Sequence, residues 1–200
     1  TGIQAKTIRI QAAPGKTMTL VLAEVQAANH IQAPIMIYNY KNHLQDIDLT
    51  TGTATQSTTW GSGVASKAID GNTNGFYWDG SVTHTLVNTD AWWQVELPQN
   101  ETITQITLYN RTDNVHVQKR LKDFSIVLLD DLNNVVFTQD YHTSGTHVGD
   151  NETFVVSATG IQAKTIRIQA APGKTITLVL AEVQARGYTE IMDYTIIDQD

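Results

Sequence analysis

From residue 92 onward the chain alternates apolar and polar side chains in short runs. WQVEL at 93–97, ITQITL at 103–108, FSIVL at 124–128, VVF at 135–137, FVV at 154–156, TIRI at 165–168 and TLVL at 177–180 follow this pattern. A period of two is that of a strand with one face buried. Turn clusters separate the runs: Asp70-Gly71-Asn72, 130–134, Ser144-Gly145 and Pro172-Gly173-Lys174. They carry the residues that tight turns favour. Only 64–70, VASKAID, has room for a helical turn. Short strands at close spacing predict an all-β sandwich of about eight strands. The stretch 28–47 is mixed, with Pro34 and several Asn, and reads as a linker.

A repeat organises the chain. Residues 1–27 and 159–185 are the same sequence at an offset of 158, except that Met18 faces Ile176. Near-identity over such a length indicates tandem duplication. The predicted organisation is the C-terminal strands of a preceding repeat (1–27), a linker (28–47), one whole domain (48–187) and the start of the next linker (188–200). An array of one binding module implies multivalency. No leader opens the chain, so the expectation is a piece of a longer protein.

The chain has 13 Lys+Arg against 20 Asp+Glu, a net charge of -7. That balance argues against nucleic acid or an anionic membrane as the main partner. Charged residues are only 16%, and Thr, Asn, Gln and Ser make up much of the polar content. Without Cys, disulfides, thiolate metal sites and thiol nucleophiles are excluded. No apolar run has the roughly 20 residues of a membrane-spanning helix.

Several blocks then fall in one order: ASKAIDGN at 65–72, SVTHT at 81–85, AWWQVEL at 91–97, ITLYNRTD at 106–113, Arg120-Leu121, and LAEV at 180–183. Over about 57–187 this resembles the F-type lectins, the fucose-binding branch of the discoidin or coagulation-factor type C superfamily. The resemblance implies a discoidin-like jelly-roll β-sandwich. Its hallmark is a His followed at a set distance by Arg-any-Asp and then a further base. Here His84 is followed by 26 residues and Arg111-Thr112-Asp113. Gln118 stands where the further base belongs, and Arg120 comes two residues late, an insertion within 114–119. Val115, His116 and Val117 replace the paired cysteines that many members carry there.

The resemblance implies His84, Arg111 and Arg120 as polar sugar ligands, Trp60, Tyr77 and Trp78 as apolar walls, and Asp113 as the group that orients Arg111. The chemistry fits a deoxy sugar. Guanidinium groups match vicinal hydroxyls and a ring oxygen, an imidazole can donate to an axial hydroxyl, and apolar side chains cover the methyl group. The resemblance also implies a Ca²⁺ site of oxygen donors, from Lys67, Asp70, Asn72, Ser81, Ala181 and Glu182. A hard cation takes such a set. The expected partners are fucosylated glycans, and the expected location is extracellular or at the cell surface.

Each residue also has a structural reading. His84 could be a strand-end histidine, Arg111 and Asp113 an ion pair, and Arg120 a surface cation. Trp60, Tyr77 and Trp78 could be core or rim, and Asp70 a plain turn residue. Trp92 and Trp93 read as core and sheet-edge packing. His116, His142 and His147 lack partner spacing and read as surface. Asp130-Asp131 sits in a turn, and no pair of carboxylates suggests glycoside hydrolysis. Three sequons, at Asn100, Asn110 and Asn151, matter only if a eukaryote secretes the chain. Two other functions stay open: a discoidin-like module for galactose-type glycans or a protein surface, and a spacer repeat. For 159–185 the expectation is a strand pair that finishes the sandwich. For 1–27, three outcomes are open: disorder, capture by a second molecule as a strand-swapped homo-oligomer, or replacement of 159–185 in its own domain.

Overall fold

The computed structural model describes residues 35–197, with side chains over 43–189. The repeated segment 1–27 lies outside the described residues, as does 28–34. Tyr38–Asp193 form one compact unit; of the second, Thr1–Ile37 with Tyr194–Asp200, only strand ends are described.

The strands are β1 (Ile35–Ile47), β2 (Thr53–Gln56), β3 (Trp92–Asn110), β4 (Phe124–Leu129), β5 (Val135–Tyr141), β6 (Asn151–Val155), β7 (Ile161–Ala170) and β8 (Leu180–Ile197). The single α-helical turn among the described residues is α1 (Val115–Gln118). VASKAID becomes a 3₁₀ turn at Ala65–Ile69.

β3 organises the sandwich. Its first part, 93–96, pairs with β2 on one side and β7 on the other. Its last part, 105–109, lies between β6 and β8. The ladder to β7 shifts register between Glu96 and Glu101. Pro98, which has no N–H to give, falls inside that break. One strand thus bends from one sheet into the other. The order continues through β7 to β4 and β5 on one side, and through β8 to β1 on the other. All the numbered ladders are antiparallel.

The alternation read from the sequence marks the core. Trp93, Ile103, Ile106, Leu108, Phe124, Ile126, Leu128, Ile166, Ile168, Leu178, Leu180 and Val183 are buried in one cluster between the sheets. Fully burying such a side chain contributes about 1.5–3 kcal/mol. Trp93 also donates Nε1–H to the Ala65 carbonyl at 2.9 Å. Half-buried Trp92 has the Arg167 guanidinium 5.5 Å over its ring.

Two expectations need correction. From Ile35 the stretch read as a linker is strand β1, and the stretch after 187 continues β8. β1 stands at the edge of the strand order beside β8. An edge strand needs no strict apolar alternation, so the mixed pattern hid it. The segment 159–185 does not form a strand pair. β7 lies between β3 and β4, while β8 joins the other sheet. Alternation reports which residues are buried, not which strands pair.

Candidate functional site

The site is assembled on the backbone around His84. The Trp60 amide donates to the His84 carbonyl at 2.8 Å, and the His84 amide donates to Gly63 at 2.9 Å. A Cβ at position 63 would sit 2.6 Å from the His84 nitrogen, so only glycine lets the turn close here. On the other side Thr83 and Thr85 amides donate to the Leu180 and Leu178 carbonyls. Their hydroxyls accept from the Leu180 and Leu178 amides. The residues flanking His84 are therefore clamped to the chain that leads into β8.

His84 is 6% exposed. Its Nδ1 lies 2.7 Å from the Thr85 carbonyl and its Nε2 3.1 Å from Arg120 Nη1. A carbonyl only accepts and a guanidinium only donates. Nδ1 must therefore carry the proton and Nε2 must be the bare acceptor. Burial pushes the imidazole pKa below its usual 6.5, and the Arg111 and Arg120 charges push the same way, against the Thr85 hydrogen bond. In this arrangement neutral His84 turns its acceptor Nε2 to Arg120, and the arginines carry the donor groups.

Arg111, 7% exposed, directly follows the end of β3. Its Nε–H donates to Asp113, whose other oxygen accepts from the Tyr77 amide at 3.1 Å. The guanidinium carbon stands 4.6 Å over the Tyr77 ring. Asp113 thus holds Arg111 in place while tying it to the loop carrying Tyr77.

The insertion becomes α1. Asn114 caps it, accepting from the His116 and Val117 amides at 3.0 and 3.3 Å. Gln118, standing where the further base belongs, donates Nε2–H to Asp150 at 2.8 Å. Buried Asn110 donates to the Gln118 and Val148 carbonyls, both at 2.8 Å. This anchored turn delivers the exposed Arg120 to His84. Sequence reading missed Asn110 as an anchor; its signal was a polar residue at the inner end of an apolar strand. Its buried amide is consumed by these bonds, which removes Asn110 from the sequons.

The aromatic residues differ in role. Tyr77 is buried as a floor, with its ring 5.8 Å from His84. Trp60 stacks at a tilt 4.7 Å from His84 and 5.4 Å from Tyr77 while staying partly exposed. Trp78 meets Tyr77 edge-on at 5.4 Å and is 74% exposed. The six expected residues therefore come together: two guanidinium groups and a bare imidazole nitrogen, bordered by two exposed indoles. His116 is exposed. His142, read as a surface residue without a partner, instead bridges Thr146 at 2.7 Å and Glu152 at 2.8 Å, which ties the 142–147 loop to β6.

Of the six expected oxygen-donor residues, Asp70 and Glu182 approach each other at the turn Asp70-Gly71-Asn72. Glu182, on β8 beside Ala181, accepts from the Gly71 amide through Oε1 at 3.2 Å. It is 4% exposed, and its Oε2 is buried with no hydrogen-bond partner. Burial pushes its carboxyl up to about 7, with the Asp70 charge adding to the rise and the Gly71 and Asp70 amides opposing it. Asp70 accepts from the Asn72 amide at 2.9 Å. The Ser81 hydroxyl donates to the Asn74 carbonyl, and Lys67 lies on the preceding 3₁₀ turn. Among the described residues no three His, Cys, Asp or Glu side chains cluster around a metal position. The donor set is two carboxylates with carbonyl and hydroxyl oxygens, which suits a hard cation, and the unpartnered Glu182 oxygen fits one.

Residues 67–168 match the family model described as the NedA-like, galactose-binding domain of the F5/F8 type C group. Fucolectin-6 of Anguilla japonica is 35% identical over 101 residues, 48% of this chain and 54% of that protein. Fucolectin of Anguilla anguilla is 47% identical over 49 residues, 24% of this chain and 31% of that one. The chain thus spans about half or less of these relatives. A solved fucose binding module of Streptococcus pneumoniae, SpX-3, is 35% identical with a TM-score of 0.60, over 70% of this chain and 96% of that one. The lectin domain of lectinolysin, solved with Lewis B antigen, is 31% identical with a TM-score of 0.61, over 70% and 95%. These relatives are lectins and sugar-binding modules.

Proposed function

The chain belongs to the F5/F8 type C family of NedA-like, galactose-binding domains, with fucolectins among its relatives, and on that premise we propose that it is a lectin module for terminal fucose. The observation that carries this reading is the convergence of Arg111, Arg120 and the bare His84 nitrogen beside Trp60 and Trp78. Two guanidinium groups donate to adjacent sugar oxygens, and His84 Nε2, by accepting from Arg120, holds one of them in place. The indoles cover the apolar parts of the sugar. The names of the relatives, fucolectin and fucose binding module, support the same ligand class.

The second part of the proposal is a Ca²⁺ ion held by Lys67, Asp70, Asn72, Ser81, Ala181 and Glu182. The unpartnered Glu182 oxygen supports it. Bound there, the ion would supply positive charge for the buried Glu182 carboxylate and the exposed Asp70 carboxylate and join the 70–81 loop to β8. We further propose a secreted or cell-surface setting in which repeats act together, supported by the duplication and by a related f-lectin from striped bass serum. No helix among the described residues is long and apolar enough to cross a membrane.

Arg120 is exposed, so its removal tests binding without disturbing the core. Losing a charged donor costs about 1.5–3 kcal/mol, more than tenfold in affinity. L-fucose is titrated into wild type and Arg120→Ala by calorimetry, beside a glycan array. The reading stands on fucosylated hits and a loss of that size. Affinity within twofold of wild type, or hits confined to galactose-terminated glycans, rejects it; the latter result leaves a galactose-type lectin.

A further inference from the structure

β3 opens on Trp92, and the chain just before it makes a turn that is fixed on both sides. Asn88 and Ile176 exchange two backbone hydrogen bonds of 3.0 Å. The Asn88 side chain accepts from the Asp90 amide at 3.2 Å. The Ala91 carbonyl then accepts from the Ala170 amide at 2.8 Å. Trp92 is held by Ser57, whose amide donates to the Trp92 carbonyl at 2.9 Å and whose hydroxyl accepts from the Trp92 amide at 3.1 Å. Across the ladder Trp92 faces Gln169. These segments enclose an open cavity of about 170 Å³, lined by Thr89, Asp90, Ala91, Trp92, Gln169 and Ala170.

Ala91 and Ala170 have little bulk, which gives the cavity its depth. Trp92 is half-buried, and the Arg167 guanidinium stands 5.5 Å over its ring. Gln94 Oε1 accepts from Arg167 Nε and Nη2 at 2.8 and 2.6 Å. The indole is therefore packed against a guanidinium that is itself anchored. Among the described residues Asp90 gives only its amide to a hydrogen bond, so its exposed carboxylate is left for a ligand.

We propose that this cavity is a second carbohydrate site, one that takes a neutral pyranose. A carboxylate accepts from sugar hydroxyls, while the Gln169 amide both donates and accepts. An indole covers the apolar face of a sugar ring. The Asp90 charge disfavours an anion, and a single carboxylate is too few for a hard cation. Ser57 fixes where the cavity lies. Three residues later Trp60 borders His84, and three residues span at most about 11 Å. The cavity is thus a neighbour of the proposed fucose site and shares none of its residues, and the proposal does not depend on the fucose reading.

The chain has four Trp, so four indole N–H signals are expected in a ¹⁵N-correlation NMR spectrum, and Trp92→Phe identifies one of them. Methyl glycosides of D-galactose, D-glucose, D-mannose and N-acetylglucosamine are titrated into the full chain. The expected result is a saturable shift of the Trp92 signal with at least one of them, persisting in Arg120→Ala. Asp90→Ala is expected to weaken that response more than tenfold, the loss of a charged hydrogen-bond partner. Gln169→Ala is expected to weaken it by a smaller factor. Both variants are expected to keep whatever L-fucose response the Trp60 signal shows in wild type. A Trp92 signal that none of the four sugars moves, or that moves without saturating, overturns the proposal. So does a response that Asp90→Ala leaves intact or that Arg120→Ala abolishes. Failure of L-fucose to move the Trp60 signal would count against the fucose reading alone.

Discussion

Two buried polar groups, His84 with Arg111 and, apart from them, Glu182, are finished differently. Around His84 the polar groups have partners: Arg111 has Asp113, and the His84 nitrogens have Thr85 and Arg120. At Glu182 one carboxylate oxygen has none, and the nearest charge is the like charge of Asp70. The first cluster pairs its polar groups internally and keeps guanidinium donors for a ligand. The second leaves one buried oxygen unpaired, which the proposed cation would complete.

The largest effect should come from breaking the finished cluster. Both members of the Arg111–Asp113 pair are buried. Removing one partner of such a pair costs about 3–5 kcal/mol, since the other charge is left unpaired. Arg111→Ala should lower stability by that amount in chemical denaturation. Adding Asp113→Ala should recover part of it, yet neither variant should bind fucose. A double variant no more stable than Arg111→Ala would show that the pair is not the reason.

Next comes the incomplete cluster. The folded Glu182 pKa of about 7 stands above its ordinary value of 4.5. Between these values the native state binds more protons than the unfolded state, so stability falls as pH rises through that window. At 1.36 kcal/mol per unit, the fall is about 3 kcal/mol in EDTA. Calcium at a hundredfold excess over its Kd should return about 2.7 kcal/mol. Melting curves from pH 4.5 to 7.5, with EDTA and with Ca²⁺, measure both. Glu182→Gln should flatten the pH slope and remove the calcium response. Superimposable curves in EDTA and Ca²⁺ would remove the ion.

A smaller effect concerns His84. Its pKa lies below 6.5, so fucose affinity should be level above that pH. Affinity should fall in acid, once protonation removes the Nε2 acceptor and sets a third positive charge beside Arg111 and Arg120. Calorimetry at stepped pH checks this, and affinity that rises in acid would reverse the assigned tautomer. The smallest effect is at Gln118. Gln118→Ala frees one end of α1 from Asp150, a hydrogen bond contributing about 0.5–1.5 kcal/mol. Fucose affinity should drop by less than Arg120→Ala drops it, and stability should fall by no more than that contribution.

The two clusters also differed in how far they could be read from sequence. His84, Arg111 and Asp113 were legible because their order resembles the F-type lectin motif. Arg120 was displaced by the insertion, and no spacing rule could say where it would point. Its position depends on the local cap at Asn114 and on two contacts far apart in sequence, Asn110 with Val148 and Gln118 with Asp150. The missing partner of Glu182 was equally invisible, since burial of one oxygen is a property of packing. Core positions such as Ile166 and Leu180 were legible from alternation, while strand pairing and the edge strand β1 were not.

β3 belongs to both sheets, and this sets how the domain comes apart. Neither sheet can separate without breaking ladders along the same backbone. The amides of its core-facing residues, such as Val95 and Leu108, can therefore exchange with deuterated solvent only when the whole domain opens. A ligand at either cluster then slows exchange at both ends of β3 by the same factor. The proposed fucose site and the Glu182 corner share one opening equilibrium.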